Sequence, residues 1–140
     1  MAEINVENIK TQMRKGVIEY CVLSILSRGD SYTPEIIAAL KESEMIVVEG
    51  TLYPILTRQK NQGLLSYRWE ESPQGPPRKY YMLTEEGIKH LALLDEAWDE
   101  MVEQVKAIRS AATAVAFDEY TLSTILLYAL NYYNLTITIN

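Results

Sequence analysis

One predicted helix carries polar side chains whose types suit contact with an anionic partner. In the segment EGTLYPILTRQKNQG, residues 49–63, apolar residues recur at helical spacing at Leu52, Ile55 and Leu56, so this side should be buried. The opposite side offers hydroxyls, an amide and one full charge, on Tyr53, Pro54, Thr57, Arg58 and Asn61. A face that meets only water usually carries more charge, and a second buried face carries more aliphatic residues. The mixture therefore favours contact with a polar, anionic surface.

The chain is acidic as a whole, but its basic residues concentrate around this helix. The formal net charge is −6, whereas residues 50–80 hold five basic and two acidic residues, a local net charge of +3. The five basic residues are Arg58, Lys60, Arg68, Arg78 and Lys79. Residues 1–49 and 81–140 carry net charges of −3 and −6. A local basic patch attracts phosphate even when distant faces of the same protein are acidic.

The sequence lacks the residues that catalysis or metal binding would need. Its single histidine, His90, and single cysteine, Cys21, cannot build a usual zinc site, and no nucleophile has an evident base. We therefore expect no metal, no cofactor and no enzymatic activity. Cys21 lies in an apolar run and is expected to be inert core. A lone cysteine behind an N-terminus without signal-like character predicts a reducing, cytoplasmic location.

Several predicted elements must position the polar face. The 140 residues, 48% of them hydrophobic, are enough for one globular domain that buries about two thirds of its unfolded surface. Helices are expected over 6–27, from Thr33 as a cap to about residue 43, and over the segment at 49–63, with Pro54 in or near its first turn. Two aromatic-rich strands, 64–70 and 78–83, should flank a turn at 72–77.

Three helices followed directly by a hairpin are the layout of a winged helix-turn-helix, a mainly α (α+β) fold. This layout puts the segment at 49–63 in the position of a recognition helix, with the hairpin as the wing. Thr51 and Tyr53 suit hydrogen bonds to phosphate, whereas Arg58, with Thr57 and Asn61, can read base edges in the major groove. The full set of expected DNA contacts is Tyr32, Thr51, Tyr53, Thr57, Arg58, Asn61, Gln74, Arg78 and Lys79. The alternatives are ordinary surface residues on the helix and simple strand pairing for the two wing cations.

A long final helix, capped by Thr84, shows a narrow apolar stripe. Steps of three and four residues alternate along Leu91, Leu94, Trp98, Met101, Val105, Ile108 and Ala112. A stripe of this heptad period favours a partner helix, so we expect a homodimer, with Leu91, Leu94, Trp98, Met101, Val105 and Ile108 in the contact. Packing against the first helix of the same chain is the alternative.

The C-terminal residues differ in character from the rest. No charged residue follows Glu119, and the pattern predicts an amphipathic helix over 117–133 and then a strand-like stretch at 135–139. A membrane span is the alternative, but Asn131 and Asn134 interrupt the run and no basic residue flanks it. We expect no membrane contact.

Several separated motifs resemble the PadR family of bacterial transcriptional regulators. They are GTLYPIL at 50–56, QGLL at 62–65, GPPRKYYMLTEEG at 75–87 and the tryptophan at 98. The resemblance covers about residues 10–110 and implies a winged-helix DNA-binding domain at 1–84 and a dimerisation helix at 85–112. A C-terminal extension at 113–140 lies outside it. Family members are mostly repressors of detoxification, efflux or phenolic-acid genes, and a small molecule releases some of them from DNA.

The length resembles the short, multidrug-sensing subfamily, whose members stack flat aromatic compounds between paired tryptophans. Trp98 stands at the corresponding distance after the LTEEG motif, so the resemblance implies that it lines a ligand site. The neighbouring carboxylates of Asp95 and Asp99 would favour cationic aromatic compounds. Packing within the helical stripe is the simpler role for Trp98.

Two departures from the family pattern fall within the matched region. Tyr32-Thr-Pro-Glu-Ile36 replaces a motif that usually contains Gly-Tyr, which could alter the edge of the helix-turn-helix that contacts the DNA backbone. Gln59 stands where the family usually has leucine, in the middle of the buried face. A buried amide must find a partner, so we expect Gln59 to bond a nearby backbone group or to reach solvent.

Together these features predict a dimeric, ligand-responsive repressor that binds an inverted-repeat operator in double-stranded DNA. Two recognition helices would enter successive major grooves about 34 Å apart, and an aromatic inducer between the long helices would change that separation. A small-molecule-binding or protein-interaction module without operator binding is the alternative.

Overall fold

The computed structural model describes residues 4–116 and 119–132, which divide between two units, Met1–Glu96 and Ala97–Asn140. The helices of the first unit are α1 (Val6–Arg14), α2 (Ile18–Leu26), α3 (Thr33–Glu42) and α4 (Glu49–Asn61). Its strands are β1 (Ser31–Tyr32), β2 (Leu65–Ser72) and β3 (Gly75–Leu83). Helix α5 (Glu85–Ala116) begins in the first unit and continues into the second, which also holds α6 (Glu119–Tyr132). The winged helix predicted from the sequence is confirmed.

The N-terminal region forms two helices, so the prediction of a single helix over 6–27 is wrong. Helix α1 ends at Arg14, whose carbonyl accepts a hydrogen bond from the Val17 amide at 2.8 Å, and α2 begins at Ile18. Gly16 lies in the turn between them. Glycine lowers helix stability by about 0.5–1 kcal/mol relative to alanine, which explains why a break occurs at this position.

The start of α3 lies one residue earlier than the sequence indicated. Tyr32, and not Thr33, is the N-cap, and its backbone amide donates to the Glu35 carboxylate at 3.1 Å. Pro34 is in the first turn, where its missing N–H costs nothing. Tyr32 also pairs with Tyr80 in the sheet, so the helix start is tied to the wing.

Helix α4 contains Pro54 at the start of its second turn, near the first turn as expected but not in it. The helix begins at Glu49, which makes Pro54 its sixth residue. Proline there removes the hydrogen bond to the carbonyl four residues earlier, at Gly50. Burial of Leu52 and Leu56, each 0% exposed, holds the helix on the core despite this loss.

The sheet has three antiparallel strands in the order β1-β3-β2. The predicted hairpin is present, but its turn is shorter than 72–77, because Ser72 pairs with Gly75 around Pro73 and Gln74. Between that pair and the next, one residue of β2 faces the two prolines at 76 and 77, which forms a bulge. Prolines lack the amide that a regular ladder needs, so a bulge accommodates them. Strand β1 was not predicted.

The core of the first unit collects aliphatic side chains from α2, α3, α4 and the sheet. Its most buried members are Val22, Leu23, Ile36, Leu52 and Leu56. Cys21 packs against this cluster, and burial raises the pKa of its thiol above the usual value. A thiol that stays protonated is a poor nucleophile, in agreement with an inert core position.

Helices α5 and α6 account for the described part of the second unit. Helix α5 starts one residue after the predicted cap, Thr84, and extends to Ala116. Helix α6 lies within the helix predicted at 117–133. Residues 117, 118 and 133 of that prediction and the strand-like stretch at 135–139 lie outside the described residues. In the described ranges, no helix is both long and apolar enough to cross a membrane.

The junction between the wing and α5 leaves no room for a side chain at Gly87. The Thr84 hydroxyl accepts a hydrogen bond from the Gly87 amide at 3.0 Å and donates to the Gly63 carbonyl at 2.6 Å. The Thr84 amide donates to the Leu64 carbonyl at 3.0 Å. These bonds draw the first turn of α5 onto the chain at Gly63 and Leu64.

We expect Gly87→Ala to lower the free energy of unfolding by about 1–3 kcal/mol, because overpacking forces the backbone to shift. A methyl group at this position would lie 2.1 Å from the Leu64 carbonyl oxygen. Chemical denaturation measures the effect. Gly50→Ala is the control, since a methyl group on this helical glycine meets nothing within 4 Å. Equal stability of the two variants would contradict the close approach at Gly87.

Candidate nucleic-acid interface

The outer face of α4 presents the polar side chains predicted to contact DNA. Thr51, Tyr53, Thr57, Arg58 and Asn61 are all exposed, while the inner face is buried at Leu52, Ile55, Leu56 and Gln59. A shallow concavity on this surface is lined by Tyr53, Pro54, Thr57, Arg58, Asn61 and Gln62. The helix therefore separates one apolar face from one face of hydroxyl, amide and guanidinium groups.

The wing alternates its side chains between two faces, each with its own cations. In the antiparallel register, Tyr67 pairs with Tyr81 and Trp69 with Lys79, which places these four on one face. Arg68 pairs with Tyr80 and Glu70 with Arg78, which places those four on the other face. Arg78 and Lys79, adjacent in sequence, thus point to opposite sides of the wing.

On the first of these faces, aromatic rings surround the Lys79 ammonium group. Its Nζ lies 4.1 Å from the centroid of the Tyr67 ring, 5.3 Å from that of Tyr81 and 5.8 Å from that of Trp69. Lys60 of α4 contributes a second ammonium group, 5.2 Å from the Tyr67 centroid. Cation–π contacts stabilise by about 0.5–1 kcal/mol each at exposed sites, so the rings restrict where the Lys79 charge can lie.

On the opposite face, Arg78 lies against the start of α3. Its guanidinium carbon is 4.9 Å from the centroid of the Tyr32 ring. The ring centroids of Tyr32 and Tyr80 lie 5.3 Å apart. The pKa of Arg78 is raised above its ordinary value, chiefly by a hydrogen bond to the Tyr80 side chain. Arg68 donates hydrogen bonds to two carboxylates, that of Glu70 at 2.8 Å and that of Asp30 at 3.4 Å. Among the described residues, Arg68 of this face is paired with carboxylates and Arg78 forms no ion pair.

A groove of about 610 Å³ runs between the start of α3, the outer face of α4 and the wing. It brings together five of the nine predicted DNA contacts, Tyr32, Tyr53, Gln74, Arg78 and Lys79. Three of the remaining four, Thr57, Arg58 and Asn61, line the concavity on α4, and Thr51 is exposed at the beginning of the same helix. The groove and the concavity share Tyr53, so the two sets of predicted contacts adjoin.

The sequence interpretation missed the aromatic part of this surface. Trp69 is 62% exposed and lines the groove, and Tyr67 contacts both lysines. Aromatic and basic residues alternate at 67–69 and follow one another at 78–81, and this mixture within two period-2 strands was the signal that could have identified the two faces of the wing.

Two consecutive residues of α4 bond to Glu19 of α2. The Arg58 guanidinium forms an ion pair with the Glu19 carboxylate. The Gln59 amide nitrogen donates to the Glu19 backbone carbonyl at 2.9 Å. Gln59 is only 1% exposed, and its side-chain oxygen has no hydrogen-bond partner among the described residues. The expected backbone bond of Gln59 is therefore confirmed, with half of the amide left unsatisfied.

The residues predicted to bind a ligand lie on α5. The Tyr20 hydroxyl donates to the Asp95 carboxylate at 2.5 Å, a contact that the sequence did not reveal. Trp98 is 39% exposed and Asp99 is exposed. Within residues 4–116 and 119–132, no three histidine, cysteine or acidic side chains are grouped to hold a metal ion.

Comparison with known proteins finds similarity to one family. The family model described as "Transcriptional regulator PadR-like family" matches residues 22–93. A solved PadR-like transcription factor from Bacteroides fragilis is 55% identical, with 72% of this chain and 98% of that chain covered and a TM-score of 0.62. A PadR family transcriptional regulator from Eggerthella lenta is 30% identical, with 74% and 90% covered and a TM-score of 0.68.

A curated relative is longer than the chain. Transcriptional regulator YqjI of Escherichia coli is 32% identical over 95 residues, which are 66% of this chain and 44% of that protein. The similarity thus spans less than half of YqjI.

We expect Gln59→Leu to leave the free energy of unfolding unchanged or to raise it by up to about 2 kcal/mol, because it removes a buried oxygen that lacks a partner. The Glu19 carbonyl loses one donor but remains within the hydrogen-bond ladder of α2. Chemical denaturation and a DNA titration on the same variant test this. Gln62→Leu, at the exposed C-cap of the same helix, is the matched control for the denaturation measurement only, because Gln62 lines the concavity on α4. A large loss of stability confined to Gln59→Leu would show that the single amide bond outweighs the unsatisfied oxygen.

Proposed function

The chain belongs to the PadR-like family of transcriptional regulators, and we propose that it is a dimeric repressor that releases its DNA operator when an aromatic molecule binds. Family membership makes it a winged-helix, DNA-binding transcriptional regulator and not an enzyme. The observation that carries the proposal is the exposed polar face of α4 beside a wing that holds Arg78 and Lys79 on opposite sides.

The polar face of α4 supports major-groove binding. Arg58 has the reach and the paired donors to bind guanine, and Thr57 and Asn61 flank it with shorter hydrogen-bonding groups. Thr51 and Tyr53 lie nearer the start of the helix, where backbone amides and hydroxyls favour phosphate. These contacts together would place the helix in the groove with its register fixed by the phosphates.

The wing supports contact with the sugar-phosphate backbone or the minor groove. Gln74 lies at its tip, and Arg78 and Lys79 supply charge along the groove that also contains Tyr32. Because Lys79 is surrounded by rings and Arg78 lies over one, both cations are restricted before DNA arrives. Restricted side chains lose less conformational entropy on binding.

We expect Arg58→Ala to weaken binding to a preferred duplex by about 1–3 kcal/mol and to relax the base preference at one position of each half-site. Lys79→Ala should weaken binding uniformly across sequences and reduce the salt dependence, because a phosphate contact carries no sequence information. The measurement is fluorescence anisotropy with an inverted-repeat duplex selected by the wild-type protein from a randomised pool. Unchanged affinity in both variants would overturn the assignment of α4 as the recognition helix.

The exposed stripe on α5 supports dimerisation. Met101, Val105 and Ile108 are 53%, 48% and 69% exposed in the single chain, although all three are apolar and share the heptad period. Leu91 is buried within the first unit and Leu94 packs against its core, so the exposed stripe runs from Trp98 onwards. A second copy of α5 would remove these side chains from water. In the proposed domain organisation, residues 1–84 bind DNA, residues 85–112 form the dimer interface and residues 113–140 are a C-terminal extension.

Replacing Met101 and Val105 together with lysine should give monomers in sedimentation velocity and abolish high-affinity operator binding, since it places four like charges in the interface of the dimer. The control is Glu100→Gln with Glu103→Gln, which changes the net charge by the same amount at neighbouring positions off the stripe. If the lysine variant stays dimeric, the interface lies elsewhere on the chain.

The ligand response would depend on the same helix. Trp98 is partly exposed in the stripe, so in a dimer it would lie near the partner's α5, where a flat aromatic molecule could stack. The Asp99 carboxylate would favour a cationic compound. Asp95 would contribute through the carboxylate oxygen that does not accept from Tyr20. Ligand binding would then change the separation of the recognition helices. A repressor of this kind acts in the cytoplasm.

A further inference from the structure

A single residue of α2, Glu19, makes two different bonds to the recognition helix. Its backbone carbonyl accepts a hydrogen bond from the buried Gln59 side chain at 2.9 Å. Its side-chain carboxylate pairs with the guanidinium of the preceding residue, Arg58. The Gln59 side chain of the first bond is 1% exposed, whereas the side chains of the second are 49% and 39% exposed.

The two bonds have different consequences because of this difference in exposure. The Gln59 bond joins a buried side chain to a backbone group, so it fixes where α4 lies against α2. The ion pair lies at the rim of the concavity formed by Tyr53, Thr57, Arg58 and Asn61, where DNA would arrive under the proposed function. A pair this exposed contributes little to the stability of the fold.

We infer that Glu19 is a positioning residue that determines sequence specificity by controlling the Arg58 guanidinium. The inference rests on the proposed function, in which Arg58 reads a base. Arginine has five N–H donors in a planar fork, and the carboxylate occupies the Nη2 side while other donors remain available. The pair biases this long side chain towards the base edges and away from the nearest phosphate.

Glu19 also disfavours binding to the wrong sequence by charge. Non-specific affinity comes almost entirely from cations that neutralise phosphates, and a carboxylate beside Arg58 both cancels that cation and repels the DNA backbone. On the preferred sequence, base hydrogen bonds to the positioned guanidinium offset this repulsion. On other sequences nothing offsets it, so the ratio of the two affinities rises.

The experiment compares wild type with Glu19→Gln, which keeps the shape of the side chain and the backbone bond to Gln59. Two duplexes are used in anisotropy titrations over a range of salt concentrations: one selected by wild type from a randomised pool, and one scrambled to the same composition. We expect affinity for the scrambled duplex to rise and the ratio of affinities to fall about tenfold, with the salt slope on the scrambled duplex steeper by about one phosphate contact. Glu19→Asp, whose shorter side chain holds Arg58 less well, should give an intermediate ratio.

Two further variants separate positioning from a general change in charge or stability. Asp30→Asn removes a carboxylate of similar exposure from another arginine, and Arg68 keeps its second carboxylate, Glu70, so the ratio of affinities should not change. The double variant Glu19→Gln with Arg58→Ala should have the same ratio of affinities as Arg58→Ala alone, because no guanidinium remains to be positioned. Denaturant midpoints of all variants show whether folding is affected.

The outcomes distinguish this inference from the function on which it rests. A wild-type protein that selects a sequence, combined with an unchanged ratio in Glu19→Gln, overturns the role of Glu19 and leaves the proposed function standing. A fall in both affinities together with a lower denaturant midpoint also overturns it, because Glu19 would then be structural. A wild-type protein that prefers no duplex overturns the proposed function and, with it, this inference.

Discussion

Burial of one face of α4 is the constraint on which the rest of the proposed DNA-binding surface depends. Leu52 and Leu56 are completely buried and Gln59 almost so, and each is one helical turn from the next. Because these positions must face the core, Tyr53, Thr57, Arg58 and Asn61 must face outwards. No additional contact from the polar side chains is needed to expose them to solvent. It follows from the packing behind it, and the lost hydrogen bond at Pro54 is tolerated for the same reason.

The elements that depend on periodicity were predictable from the sequence, and those that depend on contacts between distant residues were not. Helix α4 and the alternating wing were visible because apolar and aromatic residues repeat at the spacing of a helix or a strand. Strand β1 has two residues, too few for any period, and exists because Ser31 and Tyr32 pair with Tyr81 and Tyr80. The break between α1 and α2 was hidden because apolar residues continue on both sides of Gly16.

At the candidate site, the types of the important residues were predictable from the sequence, whereas their contact partners were not. The sequence identified Arg58, Arg78 and Lys79 by type, but their partners come from other elements. Arg58 meets Glu19, which precedes it by 39 residues, and Arg78 meets Tyr32 across the groove. A helical wheel correctly placed Gln59 on the buried face and required a partner for it, yet could not say that the partner was the backbone of Glu19.

The distribution of charge gives these contacts a common physical meaning. The chain carries a net charge of −6, so its attraction to DNA must come from the local region of +3 at residues 50–80. Within that region the described cations are held: Lys79 by aromatic rings, Arg68 by two carboxylates and Arg58 by Glu19. Acidic regions on either side repel phosphate, so these positioned cations attract DNA weakly at long range. Their attraction is strong only when the DNA groups lie where the cations can contact them. An acidic protein with a small, ordered basic surface is therefore better suited to discriminating between sequences than to coating DNA.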